Sequence, residues 1–98
     1  MYKINFEFAK KGMMRYISHL DLMRLLVRAM RRADLPLKLS EGFSPHPKLS
    51  LTRALKLGVE SDSEQGAIVL KEFVKTDEIK RRLQEHLPEG ISVFSVHL

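Results

Sequence analysis

The sequence predicts an α+β fold of the ferredoxin-like split βαβ type, an antiparallel sheet with two helices on one face. Residues 2–9, 67–73 and 91–96 alternate apolar and polar side chains, which is typical of strands with one buried face. Residues 19–33 and 76–87 carry apolar stripes at helical spacing. The resulting order, β-α-β-β-α-β, is the observation that selects this fold class.

The first helix carries its own start and stop signals. Ser18 is a good N-cap, and Asp21 three residues later completes a pattern that resembles a capping box. Pro36 disfavours helical geometry at Leu35, so we expect the helix to end by Asp34. Its apolar face is expected to consist of Leu22, Leu25, Leu26, Ala29, Met30 and Ala33.

The middle of the chain is less regular. Residues 37–40 and 49–57 are predicted to form strand segments, separated by the irregular sequence EGFSPHP. Residues 58–66, GVESDSEQG, are predicted to be a polar, solvated loop. The sheet is therefore expected to have four to five strands.

The ends of the second helix and the inward positions of the last strand are also predicted. Thr76 is the N-cap candidate of the second helix, and Pro88 with Gly90 is expected to end it. In the last strand Ile91 and Val93 should point inward, together with either Phe94 or Val96.

Composition excludes several classes of protein. The chain has 98 residues and no cysteine, so it contains no disulfide, thiolate metal site or cysteine nucleophile. No apolar run approaches the roughly 20 residues that span a bilayer, and the alternating N-terminal residues MYKINFEF lack the continuous apolar stretch expected of a signal peptide. The glycines match no nucleotide-binding fingerprint. We expect one α+β domain over residues 1–98, a cytoplasmic location, no cofactor and no membrane partner.

The net charge of +5 is unevenly distributed. Residues 1–57 contain 12 Lys and Arg against 4 Asp and Glu, whereas residues 58–98 contain 5 against 8. This division indicates a polyanionic partner on one face. The alternative is a chance distribution without functional meaning.

Arginines form a row on the first helix. Arg24, Arg28, Arg31 and Arg32 lie nearly opposite the apolar stripe, and only Asp21 is placed to pair with one of them, Arg24. Unpaired guanidiniums suit phosphate oxygens. The alternatives are a solvated helix face and a surface for an acidic protein. The predicted anion- or RNA-binding residues are Arg15, Arg24, Arg28, Arg31 and Lys48, with Tyr16 and Phe43 as the nearby aromatic residues.

A polar cluster is predicted beside this row. Ser18, His19 and Asp21 begin the helix, while Ser44 and His46 lie in the Pro-constrained loop, and we expect them to meet at one edge of the sheet. They are interpreted as structural hydrogen-bonding residues or anion contacts. A metal or acid–base site built from His19, Asp21 and His46 is the alternative. The sequence lacks HExxH spacing, so no metal ligand is assigned.

Three motifs, RYISHLD, GFSPHP and GVESDSE, occur together in this chain. In combination they resemble the radical SAM-linked protein family, a domain of unknown function found beside or fused to radical SAM enzymes. The resemblance spans most of residues 6–65. Members are longer, so it implies that the chain is the N-terminal part of a longer family domain. It also implies a radical SAM enzyme as partner and a role in modifying RNA or another large substrate.

These observations lead to one principal hypothesis and two alternatives. The chain is predicted to be an accessory, non-catalytic domain that binds RNA or another phosphate-bearing substrate for a radical SAM enzyme. The first alternative is a small metal-dependent or acid–base enzyme using His19, Asp21 and His46. The second is a protein-docking module for the radical SAM enzyme.

Overall fold

Four strands and two α-helices follow one another in the predicted order. The structure, a computed structural model, describes all of residues 1–98. A short 3-10 helix precedes the first α-helix. The elements are β1 (Tyr2–Lys10), the 3-10 helix (Gly12–Tyr16), α1 (His19–Arg32), β2 (Leu49–Leu51), β3 (Ser61–Leu70), α2 (Thr76–Gln84) and β4 (Ile91–His97). Neither helix combines the length and the apolar character needed to cross a membrane.

The sheet has the strand order β2-β3-β1-β4, and every neighbouring pair is antiparallel. This arrangement is compatible with the ferredoxin-like split βαβ fold and confirms the predicted α+β class. The inward side chains of β1, namely Ile4, Phe6 and Phe8, are buried in one core cluster with residues from both helices. Both helices therefore cover the same face of the sheet.

Helix α1 begins and ends as predicted. The Ser18 Oγ accepts a hydrogen bond from the Asp21 backbone N–H at 3.1 Å, which confirms Ser18 as the N-cap. The helix ends at Arg32, and Asp34 adopts a φ of 57°. A side chain of α2 closes this end, because Arg82 donates to the carbonyls of Ala33 at 2.9 Å and Asp34 at 2.6 Å.

Strand β3 corrects the prediction of a loop over residues 58–66. The strand begins at Ser61, and Glu64 and Gly66 lie opposite Phe8 and Phe6 of β1. Both residues are buried, at the inward positions of the alternating pattern. Because Glu64 and Gly66 are not apolar, the apolar–polar alternation typical of a strand is not visible in this part of the sequence. The expectation of a solvated loop was wrong for this reason.

Strand β2 is shorter than predicted. Only Leu49–Leu51 pairs with β3, and the earlier segment contributes isolated bridges from Leu37 to Leu70 and from Leu39 to Pro47. The predicted continuation to residue 57 is wrong. After the Thr52 N–H donates to the Gln65 carbonyl at 2.9 Å, the chain leaves the sheet.

The C-terminal elements differ from the prediction in detail. Thr76 is the first residue of α2 rather than its cap, and the capping position, Lys75, makes no side-chain cap bond. The helix ends at Gln84, after which His86 and Leu87 donate to carbonyls three residues back. In β4 the register shifts between Glu7 and Phe8, so the extra residue, Phe94, forms a bulge. Val96 packs on the core and Phe94 is exposed.

Gly66 is required by the packing of a phenylalanine. A Cβ at this position would lie 2.5 Å from the Phe6 Cζ and 2.9 Å from the Leu51 Cδ2. Phe6 is almost fully buried in the centre of the sheet. Its ring therefore occupies the space that a side chain at position 66 would need.

We expect Gly66→Ala to lower the free energy of unfolding by about 1–3 kcal/mol, because overpacking displaces a buried ring. Urea unfolding of the single variants and of Phe6→Leu/Gly66→Ala measures this. The smaller leucine makes room, so the double variant should lose less than the sum of the two single variants. Strictly additive losses would show that the ring and the new methyl group do not compete for space.

Candidate functional site

A groove runs along one side of α1, between the helix and the segment that leads into β2. Its volume is about 620 Å³. The end of the GFSPHP loop, with His46 and Pro47, and Leu49 of β2 form the opposite wall. The lining residues are Leu20, Met23, Arg24, Val27, Arg28, Arg31, Arg32, His46, Pro47 and Leu49.

The arginine row borders this groove. Arg24, Arg28, Arg31 and Arg32 are all exposed. Arg24 lies 3.6 Å from the Asp21 carboxylate, a loose surface contact that contributes little. The other three form no ion pair and no side-chain hydrogen bond with the protein, in contrast to the arginines elsewhere in the chain. Arg53 and Arg81 pair with carboxylates, and Arg15 and Arg82 donate to other groups of the protein.

Apolar side chains lie between the arginines. Leu20 is 57% exposed, and Met23, Val27 and Leu49 are partly exposed. Positions 20, 23 and 27 share one side of a helix because they are three and four residues apart. This second, shallower apolar stripe was not predicted, because it lies outside the buried stripe of α1. The groove therefore offers both cationic and apolar contacts to a ligand.

The loop that carries His46 is closed by its own hydrogen bonds. The Ser40 N–H donates to the His46 carbonyl at 2.8 Å, and the His46 N–H donates to the Ser40 Oγ at 3.2 Å. The His46 Nδ1 lies 3.0 Å from the Ser44 carbonyl. The same Nδ1 lies 3.3 Å from the Ser40 Oγ, so Nδ1 is engaged within the loop, whereas Nε2 has no partner in the protein. Ser40 was not among the predicted residues, and no sequence signal distinguishes it from other loop serines.

The remaining predicted residues do not line the groove. The Arg15 guanidinium donates to the Gly12 carbonyl at 3.1 Å and to the Tyr16 hydroxyl at 2.8 Å, and it stacks on the Tyr16 ring. Lys48 is exposed beside the groove but is not part of its lining. Ser18 caps α1, and Ser44 contributes its carbonyl rather than its hydroxyl.

The structure does not assemble the metal site considered as an alternative. His19 is the first residue of α1, and its Nδ1 is buried without a hydrogen-bond partner. No group of three or more His, Asp or Glu side chains is arranged to hold a metal ion. His19, Asp21 and His46 therefore do not form the ligand set that the metal-dependent alternative requires.

The acidic side chains of the GVESDSE motif form hydrogen bonds and ion pairs within the protein. The Glu60 Oε2 accepts from the Gly12 N–H at 2.6 Å, and Asp62 pairs with Lys11. Glu64, whose side chain is only 4% exposed, accepts two hydrogen bonds from Arg53, the first at 2.9 Å, and a third from Ser61. Because these acids are paired with other groups of the protein, they do not neutralise the arginines of α1.

The contacts of Glu64 change its acidity. Hydrogen bonding from Arg53 lowers the pKa of the Glu64 carboxyl below its ordinary value; Ser61 and the positive charge of Lys10 act in the same direction, and burial opposes them. A lowered pKa in the folded state means that the ionised carboxylate stabilises the fold. This contribution is present above the unfolded pKa, about 4.3, and is lost as the pH falls through the folded value.

We expect Glu64→Gln to lower the free energy of unfolding by about 1–3 kcal/mol at pH 7, since hydrogen bonds to a charged group are lost. The deficit should begin to shrink as the pH falls below the unfolded pKa, about 4.3, and should disappear once the pH has fallen through the lowered pKa of the folded Glu64 carboxyl. Chemical unfolding across this pH range tests it. Glu85→Gln, which removes an exposed acid paired with Arg81, should change stability by less than about 0.5 kcal/mol. A deficit independent of pH would mean that shape rather than charge matters at Glu64.

Comparison with known proteins identifies a family but no function. No curated protein and no solved structure matches the chain. One family model, described as "Uncharacterized protein conserved in bacteria (DUF2344)", matches residues 3–98. The match covers nearly the whole chain, including the groove, its loop and the acidic motif. The chain therefore belongs to the DUF2344 family of uncharacterised bacterial proteins.

Proposed function

We propose that this chain is an RNA-binding accessory domain that holds a phosphate-bearing substrate in the groove beside α1. The observation that carries the proposal is the exposed row of Arg28, Arg31 and Arg32, which have no carboxylate partner in the protein. An uncompensated row of guanidiniums attracts a polyanion and grips phosphate oxygens bidentately.

The spacing of the row suits a nucleic-acid backbone. Successive residues of an α-helix rise about 1.5 Å, so Arg24, Arg28 and Arg31 are separated by about 6 Å and 4.5 Å along the axis. Neighbouring guanidiniums can therefore contact different phosphates of one strand. Nε2 of His46, on the opposite wall, adds a further polar contact to the same ligand.

The sequence resemblance implies a radical SAM enzyme as the partner of this domain. RYISHLD supplies the start of α1 and GFSPHP the loop beside it, and Leu20 and His46 from these two motifs line the same groove. We propose that the domain presents RNA to a radical SAM enzyme, whose own site performs the chemistry. An accessory role needs no catalytic residue in this chain.

The apolar stripe of the groove supports one other function, the docking of an acidic amphipathic segment of the partner enzyme. Leu20, Met23 and Val27 would pack against its apolar side while the arginines pair with its acids. RNA is favoured because three neighbouring guanidiniums are unpaired. Salt dependence separates the two, since binding that releases many counterions weakens steeply with salt.

We expect Arg28→Gln/Arg31→Gln to lower RNA affinity at low salt. The slope of log affinity against log salt should fall by about 1.4–1.8 units, the value for two lost phosphate contacts. Both side chains are exposed, so the free energy of unfolding should change by less than about 1 kcal/mol in total. Filter binding or fluorescence anisotropy over a salt series measures the slope.

The matched control is Lys75→Gln/Lys80→Gln, which removes two exposed, unpaired charges, one at the capping position of α2 and one within the helix. This variant has the same net charge but should retain nearly the wild-type affinity and slope. Equal losses in both double variants would indicate only a general charge effect. If the arginine variant keeps its RNA affinity but no longer copurifies with the co-expressed radical SAM enzyme, the groove is a protein-docking surface instead.

A further inference from the structure

The tip of the GFSPHP loop exposes an aromatic ring completely. The exposure of Phe43 is 108% of its reference value, so the ring contacts essentially nothing in the protein. Burying a phenylalanine is among the larger favourable terms available to a small fold. A fully exposed ring adds nothing to the stability of the fold, so it is a candidate for a role in binding.

The loop that presents Phe43 is held at its base. Ser40 and His46 bond to each other through backbone and side-chain atoms, as described above. Below them, Leu39 bridges to Pro47 and the Lys48 N–H donates to the Lys38 carbonyl at 3.2 Å. These contacts make residues 38–48 a small hairpin with Phe43 at its tip.

Residues inside the loop limit its freedom further. The His46 ring reaches back to the Ser44 carbonyl and the Ser40 hydroxyl. Pro45 and Pro47 each have a fixed φ, and Gly42 takes a φ of 121° that only glycine adopts readily. The loop therefore presents the ring with little ordering left to occur when a ligand binds.

We propose that Phe43 stacks on an unpaired base of the RNA whose phosphates lie along the arginines of α1. This inference rests on the proposed function and specifies its substrate as single-stranded or locally unpaired RNA. Phe43 lies three positions before His46, which lines the groove. A base that turns away from a backbone held by the arginines can thus meet the ring, and stacking on an aromatic face requires no particular base.

Stacking on Phe43 would distinguish single strands from duplexes. Bases inside a duplex are stacked on each other and their faces are not accessible, whereas the bases of a single strand are. The arginines should bind phosphates of either form. Phe43 should add affinity only for the unpaired form, without changing the number of phosphates contacted.

The test compares a single-stranded RNA oligonucleotide with the fully paired duplex of the same length. Phe43→Ala should weaken single-strand binding by about 5- to 100-fold, the effect of one lost stacking contact. Duplex affinity and both salt slopes should remain unchanged. Phe43→Tyr should restore single-strand affinity and Phe43→Leu should not, because stacking requires an aromatic face rather than an apolar side chain.

A direct signal is available because the chain contains no tryptophan. Phe43→Trp introduces one reporter, whose fluorescence should be quenched when the single strand binds. Phe94→Trp is the matched control: Phe94 is also exposed, but it lies on β4, at the edge of the sheet opposite β2. Its fluorescence should not respond to RNA.

The outcomes separate this inference from the proposed function. If Phe43→Ala leaves single-strand affinity unchanged while Arg28→Gln/Arg31→Gln lowers it, the stacking role is overturned and the phosphate groove stands. Full affinity in Phe43→Leu, or an equal loss for the duplex, also overturns stacking. If the wild-type chain binds neither form of RNA, the proposed function fails and the stacking role fails with it.

Discussion

The packing of α1 on the inner face of β1 determines where the candidate functional residues of this chain lie. Leu22 and Leu26 are fully buried against the strand that carries Ile4, Phe6 and Phe8. Each such side chain contributes about 1.5–3 kcal/mol when it is removed from water, so the rotation of the helix is strongly specified. Once the leucines face the sheet, the arginines on the other side of the helix must face solvent.

The acidic residues explain why the arginines remain unpaired. A chain with 12 acids could neutralise an arginine row, but here several acids are engaged elsewhere. Glu60, Asp62 and Glu64 hold the Lys11–Gly12 turn and Arg53, and Glu78 and Glu85 hold Arg81. Folding thus leaves Arg28, Arg31 and Arg32 on the groove side of α1 without acidic partners.

The groove and the loop beside it offer two kinds of contact. The helix supplies cations at regular intervals, and the hairpin supplies an imidazole at its base and a phenyl ring at its tip. Polyanion binding by arginines alone does not distinguish one nucleic acid from another. An aromatic residue on a constrained loop is the element that would make this surface selective for unpaired bases.

Much of this organisation is determined locally by the sequence. The alternation in β1, the Ser18 cap, the stop signal at Pro36 and the angular separation of leucines and arginines on α1 depend on residues close together in the chain, so the sequence predicts them. The tertiary structure decided the contacts between distant residues. It placed Glu64 and Gly66 inside β3, where Arg53 and Phe6 compensate for a carboxylate and a missing side chain. It also brought His46 to the arginine groove and kept Arg15 and Lys48 out of its lining. These outcomes depend on strand pairing and loop closure across many residues, and no local pattern carries that information.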